Sequence, residues 1–177
     1  MFRMRVVETD RLLLHPWRVE DCAELERLMT DPRVAGGRHF PLERIRAFAD
    51  HSLRQWRVHG FGPWAAVDRA TGEWIGRIGL DELADWPGHD RIEVGFELHP
   101  AWWGRGLATE GARAALRVGF EEHGLPRIIS VTAASNTAAR RVMEKAGLRY
   151  AGTRTWMNPD VPVVWYAIER EAWTHTG

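Results

Sequence analysis

Residues 103–108, Trp-Gly-Arg-Gly-Leu-Ala, set two glycines and a cation where an apolar strand pattern gives way to a helical one. Glycine lets the backbone approach a ligand closely and turn its N–H groups outward. The first four N–H groups of a helix have no internal partners, and the helix dipole makes that end positive. A phosphate or pyrophosphate is the natural guest, and Arg105 adds a fixed charge and more donors. A tight strand-to-helix turn uses the same glycines, so the segment alone fits either role. Just upstream, Ile92, Val94, Phe96 and Leu98 alternate with Glu93, Gly95, Glu97 and His99. This two-residue period predicts a strand over 91–98 with one apolar face and one titratable face.

Other chemistries lack their letters. No G-x-x-x-x-G-K-[ST] occurs, and no G-x-G-x-x-G follows a strand, which argues against P-loop and dinucleotide-dehydrogenase readings. No H-E-x-x-H or tight histidine cluster suggests a zinc hydrolase, and no G-x-S-x-G marks a nucleophile elbow. The single Cys22 excludes an internal disulfide framework and a cysteine-cluster zinc site, and it reads as a small helix-borne hydrophobe. No metal is therefore expected. Twenty-four basic residues balance twenty-four acidic ones, which argues against a general nucleic-acid or anionic-membrane surface. No run of about 18 uncharged apolar residues is present, and Asp10 and Arg11 interrupt the start before a leader's apolar stretch could form. The expected compartment is the cytoplasm.

The elements that must position these residues follow from periodicity. Residues 5–15 read as extended up to Pro16. Cys22, Leu25, Leu28 and Met29 recur at helical spacing until Asp31-Pro32, and Ile45, Phe48, Ala49, Ser52, Leu53 and Trp56 form a second stripe after Pro41. Residues 64–68 and 74–80 read as strands joined by turn chemistry at 69–72. After the 91–98 strand come a helix over 107–123 closed by Gly124, a strand at 127–132, and a helix at 136–146 ended by Gly147. Two more strands, roughly 149–156 and 163–170, lie around Asn158-Pro159. No repeat, linker or low-complexity stretch appears, so residues 1–177 are expected to form one domain. The class expected is α/β (α+β), a mixed central sheet of about seven strands flanked by about four helices. A strand–helix–strand passage at its centre implies parallel neighbours.

Four motifs in order resemble the GNAT N-acetyltransferases, and more specifically their RimJ/RimL-type branch. Glu8 to Pro16 resembles that branch's E-T-x-R-L-x-L-R-P opening, and Glu93-Val94-Gly95-Phe96 its E-[IV]-G-[YF] strand. Trp103 to Glu110 resembles W-G-x-G-x-A-T-E, and Asn136 to Leu148 resembles N-x-x-S-x-R-V-x-E-K-x-G-[FL] except at Ala139. The resemblance implies acetyl transfer from acetyl-CoA to a primary amine, either a protein N-terminus or a small-molecule amine, by direct attack in a ternary complex. It implies that the 91–98 strand splays from its parallel neighbour and that pantetheine pairs with backbone around Phe96 and Leu98. The pyrophosphate would sit on residues 104–109, so Trp103, Gly104, Arg105, Gly106, Leu107, Ala108 and Thr109 form the cofactor loop. Asn136 would reach the cofactor, serve as an N-cap, or both, and Arg141 is a candidate for a cofactor phosphate. Dimerisation is common in the family, so a homodimer is among the states the resemblance allows.

In this reading a strand N–H near Leu98 stabilises the oxyanion. Glu93 is the candidate general base, directly or through water, with Glu97 and His99 next on the same face. An α-amino group with a pKa of about 7.7–8.0 is already partly neutral near pH 7, whereas a lysine amine near 10.4 costs far more to deprotonate. The departures from the pattern are Ala139 for a serine, Met143 where other GNAT enzymes carry a thiolate-protonating tyrosine, and Val131 where some N-terminal acetyltransferases carry a glutamate. No general acid is assigned. The competing reading is a non-catalytic acetyl-CoA-binding sensor or assembly module, which the missing serine and tyrosine would suit.

Overall fold

The structure, a computed structural model, describes residues 5–35 and 41–173. Within them the chain order is β1 (Val7–Glu8), β2 (Leu12–Pro16), α1 (Asp21–Thr30), α2 (Pro32–Ala35), α3 (Leu42–His59), β3 (Pro63–Asp68), β4 (Trp74–Glu82) and β5 (Ile92–Leu98). Then follow α4 (Leu107–Arg117), β6 (Arg127–Ala133), α5 (Thr137–Ala146), β7 (Arg149–Trp156) and β8 (Asn158–Glu169). The eight strands form one mixed sheet in the order β1-β2-β3-β4-β5-β6-β8-β7. Every neighbouring pair is antiparallel except β5 and β6, which the α4 crossover makes parallel.

The expected α/β class with a mixed central sheet holds, with one more strand and one more helix than the rounded expectation. The extended segment at 5–15 divides because the Thr9 N–H donates to the Leu12 carbonyl at 2.9 Å and turns the chain between β1 and β2. Pro32 ends α1 yet also starts the single turn of α2, whose first free N–H groups include Arg33, bonded to the Asp31 carboxylate at 2.9 Å. The 107–123 helix loosens into a wider π-type turn over Val118–Glu122 before Gly124 closes it. The last strand begins at Asn158, earlier than its apolar pattern, because it pairs back on β7 through a tight hairpin. The leader-free reading rests partly on Met1 to Met4, which lie outside the described residues, as do the last four residues of the expected domain.

Two layers of helix enclose the sheet. On one face, α4 lies so close that a Cβ at Gly111 would come 2.3 Å from Ile78 Cδ1, so only glycine fits at that crossing. Leu12, Ile78, Leu80, Val94 and Ile128 fill this layer and are fully buried. On the other face α1 and α3 pack over β4, and α3 brings His51 to Asp81. The hydrophobic effect thus anchors one face of β5, while the polar face stays available for chemistry.

Candidate active site

β5 and β6 meet at a single register pair, Glu93 with Ile129, and then part. On its other side β5 pairs with β4 along its whole length, from Glu82↔Ile92 to Gly76↔Leu98. The His99 N–H donates to the Ile75 carbonyl at 2.8 Å, so Gly76 and Leu98 form a non-hydrogen-bonded pair. By alternation, the backbone polar groups of Val94, Phe96 and Leu98 therefore point away from β4 and toward β6. The Val94 carbonyl finds the Ser130 hydroxyl at 2.8 Å, which pins the closed end of the cleft. Beyond it Phe96 and Leu98 face a gap with no strand opposite. Such an edge accepts an extended ligand by the same bonds that would otherwise join two strands.

The glycine-bearing loop stands at the open end of this gap. Gly104 and Gly106 have φ of 73° and 78°, a left-handed backbone that other residues adopt only with strain. Gly106 caps α4 without any side-chain bond to the first-turn N–H groups, so those of Leu107, Ala108 and Thr109 keep their donor capacity. Arg105 is exposed and stacks on Trp102, its guanidinium carbon 4.7 Å from the ring centroid. Trp103 is half exposed, and its indole N–H donates to the Leu98 carbonyl at 2.7 Å, tying the loop to the end of β5. Arg11 holds the loop from beneath, donating from Nη1 to the Arg105 carbonyl at 2.8 Å and from Nε to Glu110 at 2.7 Å. Thr9 Oγ1 and the Arg11 N–H complete the set on Glu110 Oε1 at 2.6 and 2.8 Å. Partial burial opposes ionisation of Glu110, yet these hydrogen bonds win and hold its carboxyl below the usual range.

The candidates on α5 divide. Asn136 is the N-cap, its side chain accepting from the Ala139 N–H at 3.1 Å, which occupies its oxygen. Arg141 is exposed on the helix surface. The neighbouring Arg140 is the anchored one, donating to the Tyr166 hydroxyl at 3.1 Å and the Ala134 carbonyl at 3.3 Å. Met143 is buried in the core, so the position of the family's tyrosine offers no acid to the gap.

On the polar face of β5, Glu93 stands where the strands part. The Val131 N–H of β6 favours its charged form. Removal from water, the nearby Asp81 charge and Glu97 push its pKa up to about 8, against the opposing pull of Arg77 and that N–H. A base of that strength suits proton abstraction near neutral pH. Gly95 leaves open space between Glu93 Oε1 and Arg77 Nη1, which lie 3.6 and 3.9 Å from where its Cβ would be. Glu97 is committed to Arg77 Nε at 2.5 Å. His99 lies beyond the strand, its Nδ1 accepting from the Ala101 N–H at 3.4 Å at the start of a short 3-10 turn. Of the three titratable candidates, only Glu93 thus has its carboxyl at the parting of β5 and β6.

An aromatic group gathers at the β4–β5 loop. Trp86 of the β4–β5 loop packs edge-on against Trp156 and Trp165, with centroids 5.3 and 5.9 Å apart, and the Arg154 guanidinium lies 4.6 Å from the Trp86 ring centroid. Trp17, Trp56 and Trp86 are all buried, at 2%, 3% and 3% exposure, and Trp86 packs with Trp156 and Trp165 as a group of its own. Sequence reasoning took Asp81 only as a hint of an acidic pocket wall and missed Arg77, His51 and Ser130, which share no motif spacing and meet their partners only through sheet register and the placing of α3 across it. Among the described residues no group of three or more metal-ligating side chains occurs, and no helix is long and apolar enough to cross a membrane.

Comparison with known proteins agrees with this geometry. Residues 11–149 match the family model described as an acetyltransferase (GNAT) domain. The "FsC-acetyl coenzyme A-N(2)-transacetylase" of Aspergillus fumigatus is 39% identical over 187 residues, covering 94% of this chain and 77% of that protein. The crystal structure of an acetyltransferase from Agrobacterium tumefaciens superposes with a TM-score of 0.80 at 28% identity, covering 94% of this chain and 96% of the other. A structure described as a putative ribosomal-protein-serine acetyltransferase from Vibrio cholerae shares the fold, with a TM-score of 0.76 at 14% identity, covering 96% of this chain and 99% of the other.

Proposed function

The chain belongs to the GNAT acetyltransferase family and is an N-acetyltransferase; from that premise we propose that it moves the acetyl group of acetyl-CoA to a primary amine by direct attack, with Glu93 as general base. The observation that carries this reading is the parting of β5 from β6 immediately after Glu93↔Ile129. It leaves inward backbone donors on one strand and a carboxyl of raised proton affinity beside them.

Acetyl-CoA supplies an activated thioester. The N–H groups of Leu107, Ala108 and Thr109, with Trp103, Gly104, Arg105 and Gly106 shaping their approach, are suited to its diphosphate. Between them, the inward N–H groups of Phe96 and Leu98 hold the pantetheine arm and stabilise the oxyanion as it develops. Glu93 takes the proton from the attacking amine. Glu97 is offset by Arg77, so Asp81, opposite Glu93, is the acid that favours an approaching ammonium group, which Glu93 then neutralises. Asn136 and Arg141 flank the cofactor end from α5, Asn136 as a cap and Arg141 as a surface charge.

For the acceptor, the 39%-identical relative, whose name gives N(2) as the site of transfer, favours a small-molecule amine. The four sequence motifs shared with the RimJ/RimL-type branch favour a protein α-amine, and the 14%-identical ribosomal-protein acetyltransferase adds only the fold. The first reading is preferred because its relative is far more similar. One cysteine gives no disulfide framework for an oxidising compartment, so the cytoplasm is the proposed setting.

Mixing the protein with acetyl-CoA and a panel of small amines and N-terminal peptides, and following thiol release and acetylated product, tests the proposal. Product with one amine class and loss of it in E93Q supports the reading. Acetyl-CoA binding by calorimetry without product across the panel would overturn both proposed acceptor classes; the non-catalytic module is not favoured, since the family and its relatives are acetyltransferases.

A further inference from the structure

We propose that His51 and Asp81 form a positioning pair that sets the proton affinity of Glu93 from the adjacent strand. The inference rests on Glu93 as the base and goes beyond it by naming what tunes that base.

The register of β4 on β5 places Asp81 directly opposite Glu93, with both side chains on the polar face. Asp81 is only 7% exposed. A buried carboxylate needs a partner, and Asp81 finds it in His51 Nε2 of α3 at 2.7 Å. The Gln55 amide, one helical turn on, packs 3.1 Å from the same ring nitrogen, whose single hydrogen goes to Asp81. Asp81 in turn raises the imidazole's hold on its proton.

The groups that act most on Glu93 each have a direction, and His51 is itself faced by Arg54, which opposes its charge, and Glu82, which favours it. From β4 come Asp81, which opposes a second negative charge, and Arg77, which favours it. From β5 comes Glu97, which opposes it but is bound to Arg77 at 2.5 Å, so each screens the other. From β6 comes the Val131 N–H, which favours the carboxylate. From α3 comes His51, acting through Asp81. The Arg77–Glu97 pair is largely self-compensating, and Asp81 is left as the principal adjustable charge. His51 governs how much of that charge Glu93 feels. A packing role alone would not require an acid placed opposite an acid, since like charges across a strand pair destabilise the sheet.

The test is a carboxyl 13C NMR titration of uniformly labelled protein, with the Glu93 signal assigned by its loss in E93Q. It needs no acceptor. D81N removes the opposing charge and is expected to lower the Glu93 midpoint by about one pH unit. H51Q removes the ring N–H whose nitrogen lies 2.7 Å from Asp81 Oδ1 and is expected to raise the midpoint by roughly half a unit. Shifts of opposite sign support the pair, and no shift, or shifts of the same sign, overturn it. If D81N does not fold, H51Q decides by itself, an upward shift supporting the pair and any other result overturning it. The base assignment is judged separately: if E93Q turns over an accepted amine as fast as the wild type, that assignment fails, whatever the titration shows about the three side chains.

Discussion

Arg11 and Glu110, ninety-nine positions apart, are joined by two hydrogen bonds, from the backbone N–H at 2.8 Å and from Nε at 2.7 Å. The same guanidinium reaches the Arg105 carbonyl at 2.8 Å, so the turn between β1 and β2 grips the loop that opens α4. The E-T-x-R opening and the A-T-E ending of two separate motifs are thus the two halves of one clamp.

Arg11→Gln should therefore loosen the loop without touching the chemistry. KM for acetyl-CoA is expected to rise about tenfold while kcat stays within about twofold, since the lost bonds matter most to a preorganised site. Glu110→Gln should behave alike, and the double variant should be little worse than either single one, because contacting residues are not additive. Steady-state kinetics with varied acetyl-CoA checks this.

Glu93→Gln should lower kcat by about 10²-fold or more. The wild-type rate should climb with pH through a limb near 8, and E93Q should lose that limb. A limb that persists in E93Q would belong to the amine's own ionisation. Stability gives an independent check. The folded pKa of about 8 exceeds the ordinary 4.5, so the native state binds the extra proton between those values, and stability falls as pH rises through that window. Glu93→Gln should accordingly raise the melting temperature at pH 8 and change it little at pH 4.

Gly106→Ala forces a side chain onto φ of 78° and brings its Cβ 3.5 Å from Arg11 Nη2. About 1 kcal/mol of stability should be lost, together with acetyl-CoA affinity measured by calorimetry. Gly104→Ala carries similar strain at φ of 73° but meets nothing within 4 Å, so its cost should be the backbone term alone.

Ser130→Ala removes the 2.8 Å bond to the Val94 carbonyl at a position only 2% exposed. Denaturant unfolding should show a loss of about 1–2 kcal/mol, the cost of leaving a buried acceptor unpaired. Because that bond closes the deep end of the cleft, KM for acetyl-CoA should also rise.

Local patterns in the chain foretold what neighbouring residues decide. The alternation at 91–98, the glycines at 104 and 106, and the Asn136 cap all form as their letters imply, because strand period, left-handed turns and capping act over a few residues. The Arg77–Glu97 pair and the Asp81–His51 contact did not show, because they exist only once β4 is aligned with β5 and α3 is laid across them. Periodicity also ran 5–15 together, since the Thr9 turn is made by a backbone bond that no turn-forming glycine or proline announces. Arg141 was favoured over Arg140 by the motif, yet it is Arg140 whose side chain folds inward to Tyr166.

Gly111 lets α4 settle on Ile78, at a crossing where a Cβ would come within 2.3 Å. The helix whose first turn suits the diphosphate and the strand that bears Asp81 and Arg77 therefore share one girder, so a bulkier residue at that crossing would displace both ends of the reaction centre together.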